Sequence, residues 1–396
     1  MKQINLQEYQ DSKQTPLTIS ERDLINDTLP SVSIEPVKGK GCSYILRPGS
    51  TVGALEIDDL SILIEPKIGM PQLLSMACYA LGLYKPQVQK LFDFQKAPAI
   101  PDVLALSLIE AARRAFGRGL LRGYLSEEDA LYTVRGRIRF DEQIRRRYGI
   151  PLPVELRFDE FTEDILTNRL VKAAVARLRH MTLRSLEARR GLGWVAATLE
   201  NVSLLEFRRR IVPEVRFDRL NEHYRDVVGL ARLILLHSEF ESFRGDVRAS
   251  GFLIDMDKLF QEFVTQALRE ELGVSAATLQ SEKSVPFDQD GLVKLEPDLS
   301  WWEGGKCTFV GDAKYKRIDV KSVPNADLYQ ILAYATALDV PGGLLIYAKG
   351  EADTAEYRVK HSGKLLEVVA LDLSCSLEKI FERVKDIARK IECMKE

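Results

Sequence analysis

The chain has 396 residues, enough for two to four domains with a sizeable core in each. Hydrophobic residues make up 45% and charged residues 29%, and a formal net charge of −2 argues against a wholly basic nucleic-acid binder. Five scattered cysteines without a C-x-x-C pair exclude a disulfide framework or zinc ribbon, and four histidines make a His-rich metal site a poor expectation.

The start, MKQINLQEYQDSKQ, has no apolar core of the secretory kind. No apolar run reaches membrane-spanning length; the longest, near residues 226–237, contains Arg232. The expectation is a reduced, cytoplasmic protein that does not engage a membrane.

Residues 1–98 read as a small α+β module. Ser20 is the expected cap of a short helix, with Glu21 and Asp23 in its first turn. The runs SVSIEPV, CSYILRP, TVGALEID and LSILIEPKI follow as strands, with a tight turn at Asp58-Asp59. Pro71 then opens a helix of apolar residues at helical spacing.

Residues 99–250 read as mainly helical. VLALSLIEAARRAFGRGLLRGYL and TNRLVKAAVARLRHMTLRSLEARRGLGW are long amphipathic patterns. Between them LYTVRGRIRF alternates as a strand, and VELRFDEF follows Pro151 and Pro153 as a second one. Charge is split along the chain. Residues 111–230 hold 24 basic and 17 acidic residues, net +7, and 23 of the basic ones are Arg. Residues 251–396 hold 19 basic and 25 acidic residues, net −6, with Lys now dominant. This change marks a third region, 251–396, of α/β type: a helix over 255–272, the strands LVKLEPDLSWW and CTFVGDAKYKR about an EGGK turn, the helix NADLYQILAYATAL, three more strands and a final helix.

The chemistry concentrates in that third region. Pro297-Asp298 is followed, after thirteen residues, by Asp312-Ala313-Lys314. Residues two apart on a strand share a face, so Asp312 and Lys314 are co-facial. Folding the hairpin about Gly304-Gly305 sets Asp298 opposite residue 311 or 312. Two carboxylates and an ammonium then converge. Such carboxylates repel unless a cation lies between them, and Mg²⁺ or Mn²⁺ takes oxygen ligands and can acidify an attacking water. Lys314 would hold that water or offset charge on a phosphate. Glu262 on the preceding helix is a further candidate carboxylate. Lys316 shares the strand face of Lys314, and Gln330 and Tyr334 share a helix face four residues apart.

These residues have the form of the PD-(D/E)XK nuclease pattern. By resemblance, Asp298, Asp312 and Lys314 take the catalytic positions and Glu262 the helix-acid position, with Asp298, Asp312 and Glu262 as metal ligands. The Gln330/Tyr334 pair resembles the extra motif of RecB-like nucleases. Elsewhere, ILRPGSTVGALEIDDLSILIEPKIG with PQLLSMACYALGL, then VRGRIRFDEQIRRR and RFDEFTEDILTNRLVKAAVARL, resemble McrC-type components of 5-methylcytosine restriction systems. That resemblance spans most of the chain. It implies a DNA endonuclease subunit that cuts double-stranded, modified DNA. It also implies a separate AAA+ GTPase of the McrB type, working as a hexameric ring, on which the N-terminal module docks and whose GTPase it stimulates.

The sequence agrees in lacking a P-loop of its own: around Gly305-Lys306, Ser300 stands where the first glycine belongs and Cys307 follows the lysine. Two other readings stay open: a RecB-like DNA-processing nuclease independent of GTP, and a non-catalytic activator of a ring NTPase. Arg135, Arg137 and Arg139, co-facial on the expected strand, and Arg145, Arg146 and Arg147 on a following helix could grip phosphates or a partner. Local ion pairing with Glu127, Glu128, Asp141 and Glu142 is the bland alternative. Trp301 and Trp302 could wedge DNA but more commonly pack.

Overall fold

The computed structural model describes residues 2–39, 41–57, 60–82, 100–148, 150–207, 211–242, 248–318, 323–350 and 354–395. The Asp58-Asp59 turn and the expected boundary at 98/99 lie outside the described residues. The fold is mixed α/β, in two compact units. One comprises Met1–Gln89, Ser242–Ala249 and Leu253–Glu396; the other comprises Lys90–Glu241 and Ser250–Phe252. The N-terminal stretch and the C-terminal α/β region, separate in the sequence reading, therefore belong to one unit.

In the first unit, β1 (Lys2–Gln7) and β2 (Thr15–Pro16) precede α1 (Ile19–Thr28). The helix is capped by Thr18 rather than Ser20. The Thr18 hydroxyl accepts from the Glu21 amide at 3.1 Å, and the Glu21 carboxylate accepts from the Thr18 amide at 2.8 Å. This reciprocal pairing is available only when the acid lies three residues past the cap. β3 (Val32–Pro36), β4 (Ser43–Pro48), β5 (Thr51–Ile57) and β6 (Leu60–Glu65) match the expected runs, and α2 (Met70–Ala80) matches the expected helix. β1, absent from the sequence reading, lies parallel to β6. Ile4, Leu6, Leu46, Leu55, Ile57, Ile62 and Ile64 make its core.

The second unit opens with α3 (Ile100–Phe116), β7 (Gly123–Leu131), β8 (Arg137–Ile138), α4 (Phe140–Arg147) and β9 (Val154–Thr162). α5 (Leu166–His180), α6 (Leu186–Thr198) and α7 (Arg225–His237) complete its helices, before β10 (Ser238–Ser242). Both long amphipathic patterns are interrupted. The first helix stops at Phe116, before Gly117 and Gly119, and GYL becomes strand. The second splits because the Arg184 and Ser185 amides turn to the buried Asp102 carboxylate, at 3.1 and 2.9 Å, and Ser185 then caps α6. The strand expected over 131–140 shrinks to Arg137–Ile138. Gly136 adopts φ +71, and a Cβ there would stand 2.4 Å from the Arg157 carbonyl oxygen, so the chain kinks. Arg135, Arg137 and Arg139 consequently do not lie on one regular strand face.

The chain re-enters the first unit through β11 (Arg248–Asp255) and α8 (Met256–Leu272), whose cap Asp255 accepts from the Asp257 amide at 3.0 Å. There follow β12 (Leu279–Gln280), β13 (Val285–Pro286), β14 (Lys294–Leu295), β15 (Leu299–Glu303), β16 (Lys306–Ile318), α9 (Asn325–Ala337), β17 (Gly342–Gly350), β18 (Thr354–Arg358), β19 (Leu365–Ala370) and α10 (Leu377–Lys395). One sheet has the order β12-β15-β16-β17-β19-β18, with β16, β17 and β19 mutually parallel. The continuous apolar run of β17 fits a strand buried on both faces. Val310, Ile331, Tyr334, Leu345, Tyr347 and Val368 pack between the sheet and α9.

Two of the cysteines, Cys78 and Cys307, are buried, whereas Cys42 and Cys393 are exposed. Trp301 is 5% exposed, and Lys395 and Lys283 lie over the Trp301 and Trp302 rings at 3.6 and 3.3 Å, so this pair packs rather than wedges.

At Gly342, where β17 passes β19, a Cβ would lie 1.9 Å from the Leu365 carbonyl oxygen. Gly342→Ala is expected to destabilise the unit by about 2 kcal/mol or more, because backbone must move. Urea unfolding at matched m-values measures it.

Candidate active site and its relatives

β15 and β16 are antiparallel, and Leu299 pairs with Gly311. One step back, Asp298 stands opposite Asp312, as the hairpin geometry predicts. No irregularity separates Gly311 from Lys314 in the pairing of β16 with β17, so Asp312 and Lys314 keep a common face. The Lys314 ammonium lies 2.7 Å from Asp312 Oδ2. Asp298 and Asp312 are 7% and 1% exposed.

The two carboxylates are held differently. Asp298 Oδ1 accepts from Gln261 Nε2 at 2.8 Å, and Oδ2 accepts from the Ala313 amide at 2.8 Å. Both Asp312 oxygens are buried and accept no hydrogen bond of good geometry; the Lys314 contact is a charge pair without directional alignment. Burial first, and then repulsion from Asp312, push the Asp298 carboxyl up to about 7, against the pull of the Ala313 amide. Burial works to lower the Lys314 pKa, but Asp312 and Asp298 carry it above the ordinary lysine value.

Gln261 was missed in the sequence. It precedes the acid Glu262 on α8, and only the helix rotation selects between them. Glu262 is exposed, with Lys258 Nζ at 3.9 Å, and lines with Gln261, Glu282 and Asp298 a polar recess of about 210 Å³. Among the described residues, no three Asp, Glu, His or Cys side chains cluster as a metal-ligand group, so Glu262 does not close on the Asp298/Asp312 pair.

Gln330 and Tyr334 do share a face of α9. Gln330 Nε2 donates to the Tyr334 hydroxyl at 2.7 Å, and that hydroxyl donates to the Glu296 carbonyl at 3.4 Å. Burial and then the Asp312 carboxylate hold the Tyr334 pKa above its ordinary value. Lys316 departs from the expectation. The ladder with β17 shifts register between Lys314 and Arg317, and the Lys316 ammonium sits 2.6 Å from the buried Asp327 carboxylate.

The six arginines are mostly consumed locally. Arg139, Arg145 and Arg146 reach Glu128, Glu142 and Glu142 respectively, each at 2.7 Å. Arg147 reaches the buried Glu155 at 3.1 Å, and Arg135 reaches Glu160 at 3.3 Å with its guanidinium over Phe158. Among the described residues, Arg137 alone of the six has no ion pair. Residues 123–162 hold seven Arg against eight Asp and Glu, net −1. The same stretch exposes Tyr124, Tyr132, Phe140, Ile144, Tyr148 and Phe161. Among the described residues, no helix is long and apolar enough to cross a membrane.

Residues 46–348 match the sequence pattern of the McrBC 5-methylcytosine restriction system component, and the chain belongs to this family. It is 26% identical over 348 residues to the type IV methyl-directed restriction enzyme EcoKMcrBC of Escherichia coli K12, covering 82% of this chain and 98% of that protein. Its fold resembles a chain of the half-complex from a tetradecameric assembly of Thermococcus gammatolerans McrB AAA+ hexamers with bound McrC. There the TM-score is 0.58 and the identity 18%, over 98% of this chain and 100% of that one.

The raised Asp298 pKa has a stability consequence. In the absence of divalent cations, the folded carboxylate pair holds a proton that the unfolded chain releases near pH 3.8. Between that pH and about 7 the folded state binds more protons, so this contribution to stability falls as pH rises. The Tm difference between wild type and Asp298→Asn, measured in chelator, should therefore shift in favour of the variant as pH rises across this window.

Proposed function

We propose that this chain is the DNA-cleaving subunit of a modification-dependent restriction system, a Mg²⁺-dependent endonuclease of PD-(D/E)XK type. The observation that carries the reading is the buried Asp298/Asp312 pair with Lys314 beside it. Asp312 keeps one buried oxygen, Oδ1, without a hydrogen bond, and its Oδ2 meets only the Lys314 ammonium, a deficit that a bound cation would relieve. An all-oxygen donor set of this kind suits a hard cation. Asp298 and Asp312 would hold Mg²⁺ or Mn²⁺, with Glu262 in the adjoining recess holding a bound water. The ion, when bound, polarises a phosphoryl oxygen and acidifies water.

The protein's own groups supply the rest. Gln261 and the Ala313 amide fix the Asp298 carboxylate, so that its oxygens are oriented before DNA arrives. Lys314 offsets the negative charge that grows on the phosphate. The Gln330–Tyr334 pair braces the site from α9.

Cleavage is controlled, in this reading, by a hexameric AAA+ GTPase of the McrB type that selects modified double-stranded DNA. Family membership and the McrB hexamers in the assembly of the structural relative support this. The region 123–162 is the better docking surface for that partner than for DNA. Phosphates are gripped by unpaired cations. Here most of the arginines, Arg137 excepted, are paired with Glu128, Glu142, Glu155 and Glu160, while aromatic side chains stand exposed beside them.

Asp312→Ala and Lys314→Ala should each abolish cleavage of methylated DNA in the presence of partner, GTP and Mg²⁺, while stimulation of the partner's GTPase persists. Full cleavage by Asp312→Ala would sink the site assignment. Cleavage by the wild-type chain alone, indifferent to GTP and partner, would favour a RecB-like nuclease instead. The double variant Phe140→Ser/Tyr148→Ser should lower GTPase stimulation roughly tenfold, as loss of exposed aromatic anchors does at interfaces.

A further inference from the structure

Immediately after Lys314 the β16 ladder slips against β17. Lys314 pairs with Tyr347 and Arg317 with Lys349, so Tyr315 and Lys316 occupy a bulge. In a regular strand the pleat fixes which way each side chain points; in a bulge it does not. Side-chain bonds replace the ladder here. Lys316 is held by Asp327, whose other hydrogen bond comes from the Tyr347 hydroxyl at 2.5 Å. Tyr315 is held by Glu8, from the far end of the sequence: its hydroxyl donates to Glu8 Oε1 at 2.9 Å. The Tyr315 ring also packs 6.1 Å from Phe260 of α8.

Glu8 is an unusual residue to find there. It is 0% exposed, and its Oε2 makes no hydrogen bond of good geometry, with the Lys67 backbone and charge nearby to favour the carboxylate. A fully buried carboxylate that is only half satisfied costs stability, and the apolar packing of β1 is already supplied by Ile4 and Leu6. Its backbone is rigid: the Glu8 amide donates to the Glu65 carbonyl at 3.1 Å, and the Tyr9 amide donates to the Pro48 carbonyl at 3.0 Å. The N-terminal sheet is joined to α8 as well, through the Met256 amide on the Ser50 carbonyl at 2.9 Å and Tyr79 edge-on to Phe263.

We propose that Glu8 is a positioning residue for DNA cleavage: through Tyr315 it pins the bulge at which the β16 ladder ends, and so keeps Lys314, the last regularly paired residue before it, seated against Asp312. The N-terminal module thus completes the catalytic strand of the C-terminal region. This inference rests on the reading of Asp312 and Lys314 as catalytic.

The test uses the full chain with its GTPase partner, GTP, Mg²⁺ and methylated DNA, reading kcat and KM for cleavage, GTPase stimulation and Tm. Glu8→Ala and Tyr315→Phe should each lower kcat roughly tenfold, the scale of one lost hydrogen bond expressed in the transition state, with KM and GTPase stimulation unchanged. The double variant should be no worse than either single one. Glu8→Gln should keep most of kcat, because its amide oxygen can accept from the same hydroxyl. Unchanged kcat in Tyr315→Phe, which keeps the ring packing, overturns the proposal even if Glu8→Ala fails to fold. Additive losses in the double variant, or a Glu8→Gln as impaired as Glu8→Ala, overturn it too. Asp312→Ala is the control: if it cleaves normally, the site assignment falls and this inference with it, whereas if it is dead and Tyr315→Phe is normal, only the role of Glu8 falls.

Discussion

Two carboxylates buried side by side are the constraint around which the C-terminal region is arranged. Asp298 and Asp312 are brought together by the register of β15 on β16, and neither is free to turn to solvent. The surrounding groups each relieve part of the cost. Gln261 and the Ala313 amide bond Asp298, and Lys314 lies against Asp312. The relief is incomplete, because Asp312 still lacks directional partners and the Asp298 pKa stands near 7. On the proposed function, this deficit is what a bound cation would relieve, which would link the local electrostatics to hydrolysis of a phosphodiester.

The deficit has to be held in place mechanically. β16 is flanked by β15 on one side and by the parallel, largely apolar β17 on the other, so its mid-strand residues have little freedom. Regularity ends just past Lys314, at the bulge. There Asp327 and Glu8 clamp the two following side chains from opposite sources, one from α9 and one from the N-terminal sheet. Within the first unit, Glu8 of the N-terminal stretch thus reaches the strand that, on the proposed function, carries the chemistry.

The middle of the chain shows how charge counts mislead. Its net +7 over residues 111–230 left DNA, a partner or local ion pairing open; residues 123–162, with seven Arg and eight acids, contribute −1, so the positive excess lies outside that stretch. Ion pairs between exposed Arg and Glu contribute little to stability individually, but they remove the free cations that phosphate binding needs. The same stretch also exposes Tyr124, Tyr132, Phe140, Ile144, Tyr148 and Phe161 beside its paired arginines.

Much of this protein was legible in its residues. The helix-hairpin-strand-helix order, the pairing of Asp298 with Asp312, the shared face of Asp312 and Lys314, and the Gln330–Tyr334 contact all follow from periods of 2 and 3.6 and from a turn at two glycines. The sequence alone could not choose between Gln261 and Glu262, since one residue of helix rotation separates them. Nor could it place Thr18 over Ser20 as the cap, show that a glycine at φ +71 breaks the arginine strand, or show that Asp102 splits a long helical pattern. Least of all could it pair Glu8 with Tyr315, 307 residues apart. Local periodicity determines which residues face the same way within one element; only tertiary packing decides which elements meet, and so which buried carboxylate ends up bonded to Tyr315 of β16.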